Sequence, residues 1–205
     1  MKVRKYEMSA RADAAESTGE RILDAMRERF AATPYERIRL EDVAADAGVT
    51  VQTVLRRFGS KSALMTRMAQ RALQSIAEAR AAAAHASPVD TIRALVEHYE
   101  VYGSLILKAY SEAPLVDGLP EVAAAGRAYH VQWCRTAFAD QLDADQDAAA
   151  RTLRVAQLVA LCDATTWRIL RFDGGLGAAQ TEKALRELIL PLLTPRAGAQ
   201  TAPPK

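Results

Sequence analysis

Residues 46–61, Asp46-Ala-Gly-Val-Thr-Val-Gln-Thr-Val-Leu-Arg-Arg-Phe-Gly-Ser-Lys61, hold two glycine breaks, two hydroxyl residues placed to start helices, and three cations. Gly48 offers the left-handed backbone that ends a helix, and Thr50 is placed to cap the next one. That helix carries Val51 to Phe58 before Gly59 stops it, and Ser60 caps another. Two short helices joined by a tight glycine-containing turn, the second opening on a hydroxyl cap, have the layout of a helix-turn-helix. At 100° per residue, Val54 and Phe58 lie together with Val51 nearby, while Gln52, Thr53 and Arg56 lie opposite. The helix therefore has one face for a core and one for a partner. Gln suits an adenine edge and Arg a guanine edge, while Thr suits a base or a phosphate, and Lys61 stands where a phosphate could also meet free backbone N–H groups.

Upstream, residues 1–16 are polar and aperiodic and read as a flexible arm. Ser17-Thr-Gly-Glu20 reads as a capping box, followed by Ile22, Leu23, Met26 and Phe30 on one helical face until Pro34. A short helix from about Leu40 to Ala47 precedes the turn. Downstream, Leu64, Met68, Ala72 and Ile76 recur every four residues in a helix free of Gly and Pro to about Ala86. Ser87-Pro88 starts a fifth helix, apolar over most of its circumference apart from the stripe Arg93, Glu97, Glu100, Ser104 and Lys108. After Pro114, Gly118 and Pro120 comes a helix with Tyr129, Trp133 and Phe138. A polar connection, Asp143 to Asp147, leads to a long helix ending near Phe172, and Asp173 to Gly177 leads to a last helix aligning Leu185, Leu188, Ile189 and Leu192. Residues 194–205 are rich in Pro and Ala and read as a disordered tail.

The 205 residues are half hydrophobic, with alanine blocks and no period-two alternation, so the expected class is all-α. Cys134 and Cys162 lack paired spacing and read as buried thiols; neither a metal nor a cofactor is expected. A charged start without an apolar stretch after it, and no apolar run near the roughly 18 residues of a membrane span, predict a soluble, cytoplasmic protein without membrane contact. The net charge of +2 conceals an asymmetry: 15 Lys and Arg against 11 Asp and Glu through Arg80, then 12 against 14. Between Asp46 and Glu78 the only charged residues are Arg56, Arg57, Lys61, Arg67 and Arg71, a surface that attracts a polyanion. An enzyme is not expected, since Gly174-Gly-Leu-Gly177 lacks the spacing of a phosphate loop and no G-x-S-x-G occurs.

Ile22-Leu-Asp-Ala, Phe30-Ala, Leu40-Glu-Asp-Val-Ala-Ala-Asp-Ala-Gly-Val-Thr50 and Thr53-Val-Leu-Arg-Arg-Phe-Gly-Ser-Lys-Ser-Ala-Leu64 together resemble the N-terminal domain of TetR-family (tetracycline-repressor-like) transcriptional regulators. The resemblance covers about Glu20 to Leu73. It implies a homodimeric repressor of a double-stranded DNA operator, with Thr50 to Arg57 as recognition helix, Lys61 as a phosphate contact and an inducer site in the C-terminal domain. Three positions depart from the family pattern: Leu55 replaces a phosphate-contacting Tyr, Arg39 stands where Ser or Thr caps the second helix, and Pro34 where Gly is common. The expected DNA-contacting set is Arg39, Thr50, Val51, Gln52, Thr53, Leu55, Arg56, Arg57 and Lys61.

The resemblance also places a pocket among the middle helices of the C-terminal domain, where Tyr99, Tyr102, His98, His130, Trp133, Cys134 and Phe138 lie. Such a lining suits a small, mostly hydrophobic inducer. Apolar residues on more than one side of the last two helices predict a self-complementary dimer interface with Ala156, Ala160, Ala164, Trp167, Leu185, Leu188 and Leu192. The full expectation is an all-α chain of about nine helices. Residues 17–66 form a three-helix helix-turn-helix domain, joined through a long helix to a ligand-binding and dimerisation domain over 67–193. A constitutive, weakly specific or architectural DNA-binding protein without an inducer is the alternative from the same residues.

Overall fold

The computed structural model describes residues 2–143 and 147–194. Among them the regular elements are helices: α1 Lys2–Ala32, α2 Leu40–Asp46, α3 Val51–Phe58, α4 Lys61–Ala83, α5 Pro88–Glu112, α6 Leu119–Ala137, α7 Ala139–Asp143, α8 Ala148–Leu161, α9 Ala164–Arg168 and α10 Ala178–Leu193. Tight 3₁₀ turns occupy Tyr35–Arg37 and Ala113–Leu115, and a π-helical turn occupies Ile169–Asp173. The expected tail, beyond Thr194, and residues 144–146 of the polar connection lie outside the described residues.

The chain divides into two compact units, Met1–Ser75 with Lys108–Ala125, and Ile76–Leu107 with Gly126–Lys205. The segment around the Ala113–Leu115 turn thus belongs to the same unit as the N-terminal helices. Thr66 Oγ1 donates to the Asp117 carbonyl at 2.9 Å, and the Tyr35 amide donates to Glu112 at 2.7 Å. These polar contacts come from residues far apart in sequence, which no local periodicity announces.

In the first unit α1 is helical from Lys2, so Ser17 to Glu20 lie inside a helix and do not cap one. Alanine and long straight-chain residues upstream of Ser17 are good helix formers, and propensity outweighs the local capping signal. Farther along α1, Ile22, Met26 and Phe30 are fully buried, each contributing roughly 1.5–3 kcal/mol of burial. Arg29 grips α2 through Asp46, with Nε and Nη2 at 2.5 and 2.9 Å, and its hydrogen bond draws the Asp46 carboxyl below the usual range. Arg71 of α4 bonds Glu20 and, at 2.6 Å, Asp24.

The second unit packs Ile92, Leu95, Tyr99, Trp133, Phe138, Leu158, Cys162, Trp167, Leu185 and Ile189 into one core. The long helix expected to reach Phe172 is broken after Leu161. Asp163 accepts a hydrogen bond from the Thr165 amide at 2.7 Å and so caps a new helix, α9. With this break and the short α7 counted, the described residues hold ten α-helices against the nine or so expected. The break swings Trp167 inward, where its Nε1–H donates to Glu100 at 2.8 Å. Arg171, on the π turn, holds the same carboxylate with two bonds of 2.7 and 2.8 Å, which lowers the Glu100 pKa.

Gly103 permits that approach. A Cβ there would come within 2.5 Å of the Trp167 ring. Alanine in a helix gains up to about 1 kcal/mol over glycine, but overpacking of this kind costs about 1–3 kcal/mol. Gly103→Ala is therefore expected to lower the urea midpoint, and a raised midpoint would show that the indole moves aside freely.

Candidate nucleic-acid interface and interior cavity

α2 ends in a complete Schellman arrangement: the Val49 amide bonds the Ala44 carbonyl at 2.9 Å and the Gly48 amide the Ala45 carbonyl at 3.1 Å. Gly48 has φ of 66°, which only glycine adopts without strain. Thr50 then caps α3, its hydroxyl accepting from the Thr53 amide at 3.2 Å, and Gly59, at φ 83°, closes it. Ser60 caps α4 through the Ala63 amide at 3.1 Å. Arg39 precedes α2 without making a side-chain cap, as expected of a guanidinium, and stands exposed within 3.8 Å of Glu41.

Between these fixed ends Val54 is buried, Val51, Thr53 and Phe58 are half-buried, and Gln52, Leu55, Arg56 and Arg57 are exposed. The wheel drawn from the sequence thus holds, with Thr53 placed at the margin by its bond to Thr50. Arg57 lies against Gly19 of α1, a position where any side chain would collide with its guanidinium. Together with Arg67, Arg71 and Gln70 it borders a hollow of about 710 Å³. Arg56, Arg57 and Arg67 have no carboxylate partner among the described residues, whereas Arg71 is neutralised by Glu20 and Asp24.

Lys61, the expected phosphate contact, is held within the chain. Its ammonium donates to the carbonyls of Tyr35 at 2.9 Å and Ile38 at 3.0 Å, and sits 4.3 Å from the Tyr35 ring centroid. The Tyr35 carbonyl opens the 3₁₀ turn and also accepts from the Ile38 amide at 3.1 Å, and the Ile38 carbonyl follows the turn, so the cation ties its two ends together. The sequence could not reveal this, because Tyr35 and Lys61 are 26 positions apart.

A second feature lies in the other unit, a cavity of about 240 Å³ bordered by Arg80, Leu95, Glu97, His98, Tyr102 and Trp133 with small alanines. Of the seven expected ligand residues, His98, Tyr102 and Trp133 line it. Phe138 is fully buried edge-on to Trp133, and Tyr99 is buried with its hydroxyl on the Cys162 carbonyl at 2.8 Å; both are core. His130 donates from Nε2 to the Val159 carbonyl at 3.0 Å, which leaves Nδ1 to accept from Arg80 at 3.5 Å. Cys134, buried 3.9 Å from His130 Nε2, is drawn down by its hydrogen bond with Cys162, and Cys162 is pushed up. Neither cysteine reaches the cavity. Burial and then the nearby Arg80 charge lower the His98 pKa to about 4, so that ring is neutral at pH 7.

Arg80 escaped the sequence reading. Its guanidinium is buried over the Trp133 ring, 3.9 Å from the centroid, and the Trp133 Nε1–H donates to its carbonyl at 3.1 Å. The signal was present: Arg80 continues the series Leu64, Met68, Ala72, Ile76 by four residues, a charge on a buried stripe.

Among the expected interface residues, Ala164, Trp167 and Leu185 are buried within the chain. Ala156, Ala160 and Leu188 are exposed and Leu192 is half-buried, and Leu153, 54% exposed, extends the α8 stripe.

Residues 22–68 match the family model of bacterial regulatory proteins of the tetR family. The whole fold is similar to that of a transcriptional regulator from Rhodococcus sp., with TM-score 0.68 and 17% identity over 85% of this chain and 95% of that one. It is similar also to a TetR-family regulator from Mesorhizobium loti, with TM-score 0.66 and 15% identity over 87% and 96%. A third similar structure is a transcriptional regulator from Saccharomonospora viridis in complex with choline, with TM-score 0.65 and 19% identity over 84% and 95%. No curated protein matches the sequence. Among the described residues no helix is long and apolar enough to cross a membrane.

Hydrogen bonds from a charged donor to backbone carbonyls are worth about 1.5–3 kcal/mol when well protected, less where solvent reaches them. Lys61→Met is expected to destabilise the protein by about 1–2 kcal/mol in urea unfolding. A stability equal to that of the unsubstituted protein would return Lys61 to a solvent-facing role.

Proposed function

We propose that this chain, which has the fold of TetR-family transcriptional regulators and their DNA-binding domain at residues 22–68, is a repressor that binds a palindromic operator as a dimer and leaves it on binding a small molecule. The observation that carries the DNA reading is the exposed face of α3, Gln52, Leu55, Arg56 and Arg57, held between two glycine turns and a threonine cap. Gln52 matches the bidentate edge of adenine, Arg56 that of guanine, and Leu55 a thymine methyl. Arg57 and Arg67 supply phosphate affinity, with Arg39 and Thr50 at the margins.

Two α3 helices enter successive major grooves when about 34 Å apart. The exposed small and apolar residues Leu153, Ala156 and Ala160 of α8 and Leu188 of α10 support a helical interface that would set this spacing. The cavity beside Arg80, His98, Tyr102 and Trp133 supports ligand control. One residue chain, α4, runs from the phosphate side at Arg67 to the cavity at Arg80, so a ligand that favours a tilted α4 opposes DNA binding. A coupling of about 1–3 kcal/mol is typical, and it is reciprocal.

Selection of bound DNA from a random pool tests the reading, and a discrete palindrome is expected. Gln52→Ala and Arg56→Ala should each change the preferred base at one position by about 1–3 kcal/mol. Uniform, salt-sensitive coating of all sequences would instead support the constitutive, architectural alternative. Leu188→Glu is expected to give folded monomers with weak operator binding; an intact dimer in sedimentation would move the interface away from α10.

A further inference from the structure

We propose that the cavity takes a small organic anion, a carboxylate on an apolar and preferably aromatic body. This rests on the reading of the cavity as the ligand site and assigns its chemistry. Three observations converge. Arg80 is only 6% exposed, its Nε has no hydrogen-bond partner, and no carboxylate lies within ion-pair distance of it among the described residues. Glu97, on the exposed rim of the cavity, makes no ion pair with it. A buried guanidinium is almost always paired, since an uncompensated charge away from water is costly. Stacking on Trp133 occupies its flat face and Nη2 reaches His130 Nδ1 at 3.5 Å, which leaves Nε for an acceptor in the guanidinium plane.

The second observation is His98. It is 8% exposed, borders the same cavity, and its Nε2 is buried without a partner. In the tautomer with the proton on Nε2, a neutral imidazole offers one more donor to an oxygen held by Arg80. Arg80 and His98, from different helices, thus border one hollow, each with a buried nitrogen that has no partner. The remaining walls, Ala79, Ala83, Ala94, Leu95 and the ring of Tyr102, are apolar.

The third observation is size. A volume of about 240 Å³ equals roughly eight waters at about 30 Å³ each, room for a ligand of about eight to ten heavy atoms. A bare inorganic anion would satisfy Arg80 and leave the apolar walls wet. An organic cation would meet Arg80 across the Trp133 face it needs.

Benzoate, phenylacetate and hexanoate are titrated into the full-length protein and followed by tryptophan fluorescence and thermal melting. Benzamide, benzylamine and inorganic phosphate serve as matched neutral, cationic and non-apolar probes. At least one carboxylate should saturate about tenfold or more tighter than its neutral counterpart. Arg80→Met should melt at the same or a higher temperature without ligand, because an unpaired buried charge is removed, yet bind that carboxylate about tenfold or more weakly. His98→Phe gives a second test if Arg80→Met does not fold, and should weaken the carboxylate several-fold more than the neutral probe. Absence of saturation by all three carboxylates, equal binding of benzamide or benzylamine, or undiminished carboxylate affinity in a folded Arg80→Met protein overturns the proposal. DNA release is scored apart. An Arg80-dependent carboxylate that leaves the DNA complex intact keeps the anion site and removes ligand control; a neutral aromatic that releases DNA does the reverse.

Discussion

The eight residues of α3 bury one side chain completely, too little to make a helix of that length stable by itself. The fixing of its two ends is the constraint on which the rest depends. Thr50 satisfies a first-turn amide, the Schellman turn at Gly48 sets the direction of entry, and Gly59 satisfies a last-turn carbonyl. Val54 then needs only to point inward for Gln52, Leu55, Arg56 and Arg57 to point outward. An exposed face made in this way costs little core, because its geometry is set by backbone hydrogen bonds. The price is intolerance at the glycines, whose positive φ no side chain shares comfortably.

Around this segment the first unit uses charge mainly for architecture. Arg29, Arg71 and Lys61 each spend their donors on α1, α2 or the Tyr35–Arg37 turn. Of the five cations between Asp46 and Glu78, Arg56, Arg57 and Arg67 make no ion pair among the described residues. The basic excess counted along the sequence therefore overstates the charge offered to a partner, since two of the five cations between Asp46 and Glu78 are engaged internally.

The helix-turn-helix was legible because its signals are local: glycine at positive φ, a hydroxyl three residues before the amide it caps, and an apolar residue every three or four positions. The capping box at Ser17 failed although it is also local, because a helix already propagating from Lys2 has no free amide there to cap. Asp163 was overlooked as a cap inside what looked like one long apolar helix, and that break turns Trp167 from a candidate interface residue into core. The resemblance gathered Tyr99, Cys134 and Phe138 with residues that border the cavity, but which side chains face it depends on neighbours more than 20 positions away, such as Cys162 for the Tyr99 hydroxyl.

Arg80 shows how a violated pattern informs more than a fulfilled one. A stripe of apolar residues every four positions predicts another apolar side chain at 80, and methionine or leucine would fill that place without desolvating a charge. The chain instead buries a guanidinium, stacks it on Trp133 and leaves Nε without an acceptor. Packing alone gives no reason for this, since an apolar residue would stack as well and cost less. The neutral His98 beside it cannot balance the charge, and the carboxylate of Glu97 stays at the rim. On the proposal above, an anion in the cavity would offset the cost of that buried charge, and its contact would fall on α4, the helix that carries Arg80.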